Sequence, residues 1–206
     1  MTIPLEIIDL SKTYDSKEAV RNISFKVNEN EIIGILGPNG CGKTTTIGMI
    51  LGLLKPTKGK VLINGIEIEK QRVELLNELN FISPYIELPK KLTVKQNLEV
   101  YGRLYDVKEL GIKIDYLCEK LRLNEFINKI TGELSSGQKN RVSLAKSIIN
   151  DPSVLLLDEP TASLDPETGD FVRSFLEEYQ KEKKTSILLA SHNMAEVERL
   201  CSSVLM

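Results

Sequence analysis

The chain has 206 residues, which is long for one simple core and short for two, so we expect one α/β domain with a small inserted lobe. Hydrophobic residues make up 41% of the chain and charged residues 27%, as in an ordinary soluble globular protein. The formal net charge of −2 gives no basic excess, so the composition argues against nucleic acid or anionic lipid as a direct partner.

Three further features bear on the cellular compartment. No apolar run approaches the ~20 residues that a membrane-spanning helix needs. The N-terminal stretch carries Glu6 and Asp9 and lacks a basic region, so we expect no signal peptide. The odd number and wide spacing of Cys41, Cys118 and Cys201 favour free thiols in a reducing cytosol over a disulfide framework.

The first 36 residues predict strands. Residues 3–10 and 24–27 alternate apolar with polar side chains, which is typical of half-buried antiparallel strands. Residues 31–36, "EIIGIL", are almost wholly apolar and β-branched, so they predict a strand that is buried on both faces. A glycine-rich turn and a helix from Lys43 to about residue 53 follow, and "GKVLINGIEI" predicts a hairpin around residues 64–65.

The pattern becomes helical between residues 93 and 132. Thr93 and Gln96 have the spacing of a capping box, and apolar residues recur after them at helical intervals. Two more short helices are predicted at residues 116–121 and 124–127. We therefore interpret 93–132 as an inserted helical subdomain of a single domain.

The remaining residues, 1–92 and 133–206, would form the core of that domain. Residues 154–157 and 186–190 predict buried strands, and residues 166–183 predict a helix with Asp165 as its N-cap. Strands that alternate with helices imply a parallel, doubly wound sheet.

The last residues predict one further helix and one further strand. Asn193 and Glu196 have the spacing of a capping pair, and "SSVLM" looks like the start of a strand. The sequence leaves open whether the chain is naturally short or truncated at this point.

The stretch "GPNGCGKTT" follows a predicted buried strand and precedes a predicted helix, the context that a phosphate-binding loop requires. Its glycines let successive backbone N–H groups point at one anion, and the helix adds its positive N-terminal end. Lys43 would bridge the β- and γ-phosphates, and the Thr44 hydroxyl would ligate Mg²⁺. The predicted ATP-binding residues of this loop are Gly37, Pro38, Asn39, Gly40, Cys41, Gly42, Lys43, Thr44 and Thr45.

Cys41 leaves two interpretations open. It is either a small residue that the loop tolerates, or a thiol whose oxidation or alkylation blocks nucleotide binding.

The stretch "VLLLDEP" places Asp158 and Glu159 at the end of a buried strand. Ligands collect at the carboxyl ends of strands in open α/β sheets, so both carboxylates should lie near the phosphate loop. We expect Asp158 to help hold Mg²⁺ and Glu159 to polarise an attacking water.

Three stretches carry a family resemblance across nearly the whole chain. They are "LSKTYDSKEAVRNISF" near the start, "LSSGQKNRVSLAKSIINDPSVLLLDEPTASLDP" at 134–166 and "LLASHNMAEVERL" at 188–200. In this order they resemble the ATP-binding cassette (ABC) ATPases, and most closely the bacterial subunits that energise small exporters. The resemblance implies a P-loop NTPase core of parallel strands, with an N-terminal antiparallel β part and an inserted α-helical subdomain.

The resemblance also implies a function. The chain would bind and hydrolyse ATP with Mg²⁺, and ATP-driven dimerisation would power a separate integral membrane subunit. It would lie in the cytoplasm, held peripherally on the membrane's cytoplasmic face by that partner. The two cassettes would be identical copies or this chain and a close relative.

Further residues take roles from the resemblance. Tyr14 would stack on adenine, and the alternative interpretation is an aromatic side chain on a half-buried strand. His192, the single histidine, would contact the γ-phosphate and orient the attacking water and Glu159, while Lys43 would stabilise the charge that develops on the phosphoryl group. Two stretches would face the partner subunit: the signature that binds the partner's ATP is Leu134, Ser135, Ser136, Gly137 and Gln138, and the interface loop is Ser163, Leu164 and Asp165.

The signature also has a local interpretation. Ser136 replaces the first of the two glycines in the family pattern LSGGQ, and Ser135 with Gln138 satisfies the spacing of a capping box. By local chemistry alone this is a well-capped helix with an anion site at its N-terminus.

The clearest departure from the family lies where the chain leaves the sheet for the helical subdomain. The family normally has a glutamine there, and this sequence has Pro84, which lacks a polar side chain and a backbone N–H. Ser83, Tyr85 or Glu87 would substitute, or the contact is missing.

Three other functions are alternatives for this sequence. A non-transport ABC ATPase is disfavoured because no long coiled coil separates the phosphate loop from the signature. A nucleotide-gated assembly module with little hydrolysis gains some support from Pro84. A small-molecule kinase would leave the signature and the interface loop without a role.

Overall fold

The structure, a computed structural model, describes residues 3–84 and 86–205. The strands are β1 Leu5–Tyr14, β2 Lys17–Val27, β3 Ile32–Leu36, β4 Lys58–Ile63, β5 Ile66–Glu67, β6 Leu79–Ile82, β7 Val154–Asp158, β8 Ser186–Ser191 and β9 Ser203–Leu205. The helices are α1 Lys43–Ile50, α2 Arg72–Leu75, α3 Val94–Leu104, α4 Leu110–Lys120, α5 Ser136–Ser147, α6 Pro166–Lys183 and α7 Met194–Leu200, with a 3₁₀ turn at Thr131–Glu133.

A parallel five-stranded sheet forms the centre of the molecule, in the order β6-β7-β8-β3-β9. Every residue of β7 and β8 is buried, as the apolar runs predicted. Successive residues of β7 alternate between two apolar cores: Leu155 packs into the core on the helical side, and Leu156 into the core on the side of α1 and the second sheet. The predicted α/β class with a parallel sheet is confirmed.

The strand β6 was not predicted. Its polar residue Asn80 is only 1% exposed, which breaks the apolar pattern of a buried strand. The Asn80 side chain donates to Asn150 Oδ1 at 3.0 Å and accepts from the Lys146 ammonium at 3.1 Å. Partners 66 and 70 residues away make this strand possible, and no local pattern announces them.

The second sheet is antiparallel, in the order β2-β1-β4-β5. Its predicted hairpin is confirmed: Asn64 and Gly65 have φ values of 51° and 79°, as a tight hairpin turn requires. β1 and β2 extend well beyond their predicted limits. Register shifts around residues 8–11 interrupt the alternation of side chains, which explains why the pattern appeared to end early.

The helical segment begins with α3, and the capping box of Thr93 and Gln96 is present in both directions. α4 starts six residues before its predicted start, at Leu110. The helix predicted at 124–127 is wrong, because these residues form turns. The carbonyls of Ile127 and Lys129 instead accept hydrogen bonds from the backbone at the start of α3, at Lys95 and Val94.

The helices α5 and α6, which precede and follow β7, begin where the sequence predicts. Ser135 and Gln138 form the capping box of α5, and Asp165 caps α6 through the Thr168 N–H at 2.9 Å. Asn193 caps α7, but Glu196 does not complete a capping box, since its carboxylate turns into the protein. None of the helices in the described ranges is long and apolar enough to cross a membrane.

Candidate functional site

The parallel strands carry the chemically active residues to one edge of the central sheet. Because β3, β6, β7 and β8 run in the same direction, their carboxyl ends meet there. The residues placed at this edge are Gly37 after β3, Ser83 after β6, Asp158 and Glu159 at the end of β7, and Ser191 and His192 at the end of β8.

The phosphate loop has the conformation that its glycines permit. Gly40 and Gly42 have φ values of 84° and 100°, in the left-handed region. A β-carbon on Gly42 would lie 2.5 Å from the Ala19 carbonyl oxygen of β2, so no larger residue fits there. No side chain in the described chain caps α1, which leaves its first N–H groups available to an anion.

Lys43 lies inside this loop and is 6% exposed. Its ammonium donates to the Gly37 carbonyl at 2.6 Å and the Pro38 carbonyl at 3.2 Å. Glu159 Oε1 is 3.8 Å from the same nitrogen. The backbone N–H groups of residues 37–45 form what we call the amide cradle. The positive charge of Lys43 is held beside this cradle, within reach of both a bound phosphate and the Glu159 carboxylate.

Asp158 accepts hydrogen bonds from two hydroxyls on one oxygen. Thr44 Oγ1 and Ser83 Oγ each lie 3.4 Å from Asp158 Oδ2. Burial raises the pKa of the Asp158 carboxyl above its ordinary value, and the two hydroxyls partly oppose this shift. The start of α1, the loop after β6 and the end of β7 therefore meet at one carboxylate.

This group of oxygens fits Mg²⁺, which prefers one or two hydroxyl or carboxylate ligands together with substrate phosphates. Among the described residues no cluster of three or more His, Cys, Asp or Glu side chains could hold a metal ion. Thr44 and Asp158 offer two ligands, so a Mg²⁺ ion bound here would take its remaining ligands from nucleotide phosphates and water.

Glu159 and His192 form a close pair. His192 Nδ1 lies 2.8 Å from Glu159 Oε2; the glutamate is 12% exposed and the histidine 58%. Glu159 has a φ of 51°, in the left-handed region, and its N–H donates to the Ala190 carbonyl of the neighbouring strand β8 at 2.8 Å. Within the described residues the buried Glu159 Oε1 accepts no hydrogen bond, which leaves it able to accept one from a water.

A cavity of about 1110 Å³ opens beside the phosphate loop, and its wall includes His192, Lys43 and residues 18–21 of β2. Tyr14 does not line it. The Tyr14 ring is 44% exposed at the end of β1, and the Lys12 ammonium lies 5.1 Å from its centre. The structure therefore does not bring Tyr14 into the cavity wall.

The signature lies apart from the phosphate loop of its own chain. Ser135 and Ser136 are exposed, and no hydrogen bond or ion pair in the described part of the chain joins residues 134–138 to residues 37–45. A β-carbon on Gly137 would lie 3.2 Å from Thr168 in the first turn of α6. The signature thus packs closely beside the first turn of α6 at Gly137.

The interface loop lies between these elements. Ser163 has a φ of 63°, and Leu164 packs against the helical-side core. Asp165 accepts a hydrogen bond from the backbone of Thr168, which lowers the pKa of the Asp165 carboxyl.

The position of Pro84 is explained in part. Of the three residues considered as replacements for the family's glutamine, Ser83 contacts Asp158. Glu87 instead pairs with Lys90 at 2.7 Å, and Tyr85 lies outside the described residues. Of the two candidates that the structure describes, Ser83 is therefore the one whose hydroxyl contacts the carboxylate at the end of β7.

One functional candidate was missed by sequence reasoning. The Glu196 side chain is buried below this edge of the sheet and contacts Thr161 and Ser191. Its spacing from Asn193 is also that of a surface capping residue, so the sequence gives no separate indication that this carboxylate is buried.

Comparison with known proteins decides the family. The ABC transporter family matches residues 20–162, more than half of the chain. The chain belongs to the ABC transporter family. Its α/β fold is that of an ABC cassette, and as an ATP-binding subunit of this family it is an ATPase.

Two curated relatives illustrate the membership. The ABC transporter ATP-binding protein NatA of Bacillus subtilis is 35% identical over 98% of this chain and 85% of its own length. The Nod factor export ATP-binding protein I of Rhizobium etli is 37% identical over 96% of this chain and 63% of its own length. The chain thus spans less than two thirds of the second relative.

Two solved structures share the fold. The protein cbiO1 of Clostridium perfringens, described as part of the ABC transporter complex cbiONQ, superposes with a TM-score of 0.86 at 30% identity, over 99% of this chain and 84% of its own. The dimeric MJ0796, a bacterial ABC transporter cassette, superposes with a TM-score of 0.85 at 25% identity, over 95% of this chain and 90% of its own.

Proposed function

We propose that this ABC cassette hydrolyses ATP in a head-to-tail dimer and so drives a membrane-embedded partner subunit. The observation that carries the proposal is the cluster of Lys43, Glu159 and His192 beside an amide cradle. The exposed Ser135 and Ser136 of the signature support it, because no hydrogen bond or ion pair among the described residues joins residues 134–138 to the phosphate loop of their own protomer.

The residues of the cradle bind and orient the triphosphate. Backbone N–H groups of the loop and the start of α1 hold the phosphates, and Lys43 moves from the loop carbonyls to the β- and γ-phosphates. Thr44 and Asp158 are the proposed ligands of Mg²⁺, which would supply charge neutralisation on the phosphate oxygens. Catalysis is then mainly positioning and electrostatic stabilisation.

The Glu159–His192 pair handles the attacking water. Glu159 Oε1 is buried with its acceptor capacity unused, so it can orient a water and draw on its proton. His192, held through Nδ1 against Glu159, is exposed enough to reach the γ-phosphate with the other side of its ring. We propose these two residues and Lys43 as the catalytic group.

The second half of each site comes from a partner cassette, which is another copy of this chain or a close relative. Ser135 and Gly137 of one protomer would contact the γ-phosphate that Lys43 of the other protomer holds. Ser163, Leu164 and Asp165 would cross the interface between the two sites. The dimeric state of the similar cassette MJ0796 supports this arrangement.

The membrane partner is proposed from the family and from the helices α3 and α4 that follow the loop at Ser83. We propose residues 93–132 as the helical subdomain and residues 1–92 and 133–206 as the core, with the loop that starts at Ser83 as the link between them. A conformational change in this loop would be transmitted to the partner on the cytoplasmic face of the membrane. The membership of the similar cbiO1 in a transporter complex supports such a partner.

The substitution Glu159→Gln tests the proposed function. It removes the charge but keeps the size of the side chain, so ATP turnover should fall by about 10²–10⁴-fold while ATP binding persists. Gel filtration with Mg²⁺ and ATP should then show a stable dimer, because the contacts through the γ-phosphate are not lost. The control Glu178→Gln changes an exposed carboxylate on α6 and should behave as the wild type. Unchanged turnover in Glu159→Gln would overturn the proposal.

A further inference from the structure

The carboxylate of Glu196 is buried without a cationic partner. Glu196 lies on α7 and is 1% exposed, and no salt bridge among the described residues includes it. Its Oε1 accepts from Thr161 Oγ1 and its Oε2 from Ser191 Oγ, each at 2.7 Å. A buried carboxylate is costly unless hydrogen bonds satisfy it, so this side chain depends on both hydroxyls.

The two hydroxyls belong to the two strand ends that carry the proposed catalytic pair. Thr161 lies two residues after Glu159, on the turn that leaves β7. Ser191 is the last residue of β8 and directly precedes His192. Glu196 therefore cross-links the backbone beside the glutamate to the backbone beside the histidine.

The bond to Ser191 is part of a directed chain. The backbone N–H of Asn193 donates to Ser191 Oγ at 3.1 Å, so the hydroxyl proton points toward Glu196. Residues on both sides of His192 are thereby tied to one carboxylate. Linked hydrogen bonds of this kind polarise and stiffen one another, which restricts where the imidazole can lie.

We propose that Glu196 is a positioning residue that holds His192 against Glu159 for ATP hydrolysis. This inference rests on the catalytic roles proposed above for that pair. Thr161 also leads into the loop of Ser163, so the same carboxylate connects the expected dimer interface with the histidine of its own protomer.

The first test is the kinetics of Glu196→Gln. The amide nitrogen of glutamine cannot accept a hydrogen bond, so one of the two hydroxyls loses its acceptor. The kcat for ATP should fall about tenfold to a hundredfold, the order expected when a catalytic group is misplaced by about 1 Å. The KM and the affinity for ATP should not change, because Lys43 and its loop are untouched.

Two milder variants remove one hydroxyl each. Ser191→Ala and Thr161→Val should each lower kcat. The fold-decrease in kcat should be smaller in the Glu196→Gln background than in the wild type, because the residues act through one network. The matched control is Thr185→Val, which removes a buried hydroxyl bond to the Pro152 carbonyl at the opposite end of β8. This control should lower stability but leave kcat unchanged.

A spectroscopic measurement separates positioning from a merely structural role. His192 is the single histidine, so tag-free protein gives one set of imidazole NMR signals. In Glu196→Gln and Ser191→Ala these signals should move toward their position in Glu159→Gln, where the partner of the imidazole is changed. In Thr185→Val they should stay in place.

The outcomes distinguish the two proposals. If Glu159→Gln keeps full turnover, the proposed function itself fails. If Glu159→Gln is inactive but Glu196→Gln keeps the wild-type kcat, the role of Glu196 is overturned alone. A loss of kcat in folded Glu196→Gln with an unmoved imidazole signal would equally overturn it.

Discussion

The carboxylate of Asp158 is buried, and burial disfavours its negative charge. The residue is 2% exposed, and the pKa of its carboxyl is raised chiefly by desolvation. The hydroxyls of Thr44 and Ser83 offset only part of this cost. Such a carboxylate costs stability in the free protein but is a hard oxygen ligand for a metal ion. A bound cation would stabilise its charged form and so offset the cost of burial.

Asp158→Asn should therefore stabilise the nucleotide-free protein while it lowers ATP turnover. Because the folded pKa lies above the unfolded one, the carboxyl favours the fold below its unfolded pKa, and this benefit is lost as the pH rises. The melting temperature of the variant should exceed that of the wild type at neutral pH, by about 2–4 °C for each kcal/mol recovered. The difference should shrink as the pH falls through the raised pKa of the folded protein.

The same measurement on Asp115→Asn, an exposed carboxylate on α4, provides the control and should show little change. A lower melting temperature for Asp158→Asn, or an advantage that grows as the pH falls, would contradict this account of Asp158.

The elements that the sequence predicted well are those with local causes. The apolar runs of β7 and β8 are visible in any short window, and the capping boxes before α3 and α5 need only residues three positions apart. α4 was misplaced because it has no capping side chain: the residue before it, Glu109, has a φ of 50° and no side-chain hydrogen bond to the helix.

The features that the sequence could not predict depend on distant partners. β6 requires Asn80 to meet Asn150 and Lys146. At the site, the phosphate loop and the carboxylates follow from motif and strand position, but the pairing of Glu196 with Thr161 spans 35 residues and leaves no local signature. Long-range polar contacts of this kind become visible only once the fold brings the elements together.

Lys146 connects α5, the signature helix, to β6. Its ammonium donates to Asn80 Oδ1 at 3.1 Å and to the Phe81 carbonyl at 3.4 Å, and it lies over the rings of Phe81 and Tyr101. No carboxylate pairs with it among the described residues. Burial accordingly lowers the pKa of Lys146 to about 8.

Lys146→Met should raise the stability at pH 7. The ammonium is then charged in both folded and unfolded chains, and its full burial cost is present. As the pH rises from 8 to 10.5, the folded protein loses this proton before the unfolded chain does, so the wild type gains stability and the advantage of the variant should shrink. Asn80 Oδ1 still accepts from the Phe81 N–H in the variant.

Thermal melts between pH 7 and 10 check this, with Lys95→Met on the exposed face of α3 as the control. An advantage that stays constant with pH would show that the charge of Lys146 is not the cause.

At the scale of the whole molecule, one helix serves two different sites. The N-terminus of α5 carries the exposed signature, and its C-terminal end leads into β7, which ends at Asp158 and Glu159. Gly137 also packs beside the first turn of α6, next to the interface loop. A partner that contacts the signature therefore contacts a helix that leads directly to Asp158 and Glu159 of the same protomer. This connection favours coupling between ATP binding at one site of a dimer and hydrolysis at the other.

Mixing two inactive variants tests this arrangement most directly. Lys43→Ala spoils the cradle but leaves the signature intact, whereas Ser135→Arg blocks the signature but leaves the cradle intact. In a mixed head-to-tail dimer both defects fall in one site and the other site is complete. Random pairing makes half of the dimers mixed, each with one working site, so an equal mixture should recover roughly a quarter of the wild-type ATP turnover. If each variant is inactive alone and the mixture remains inactive although mixed dimers form, the signature does not serve the ATP of its partner and the account is contradicted.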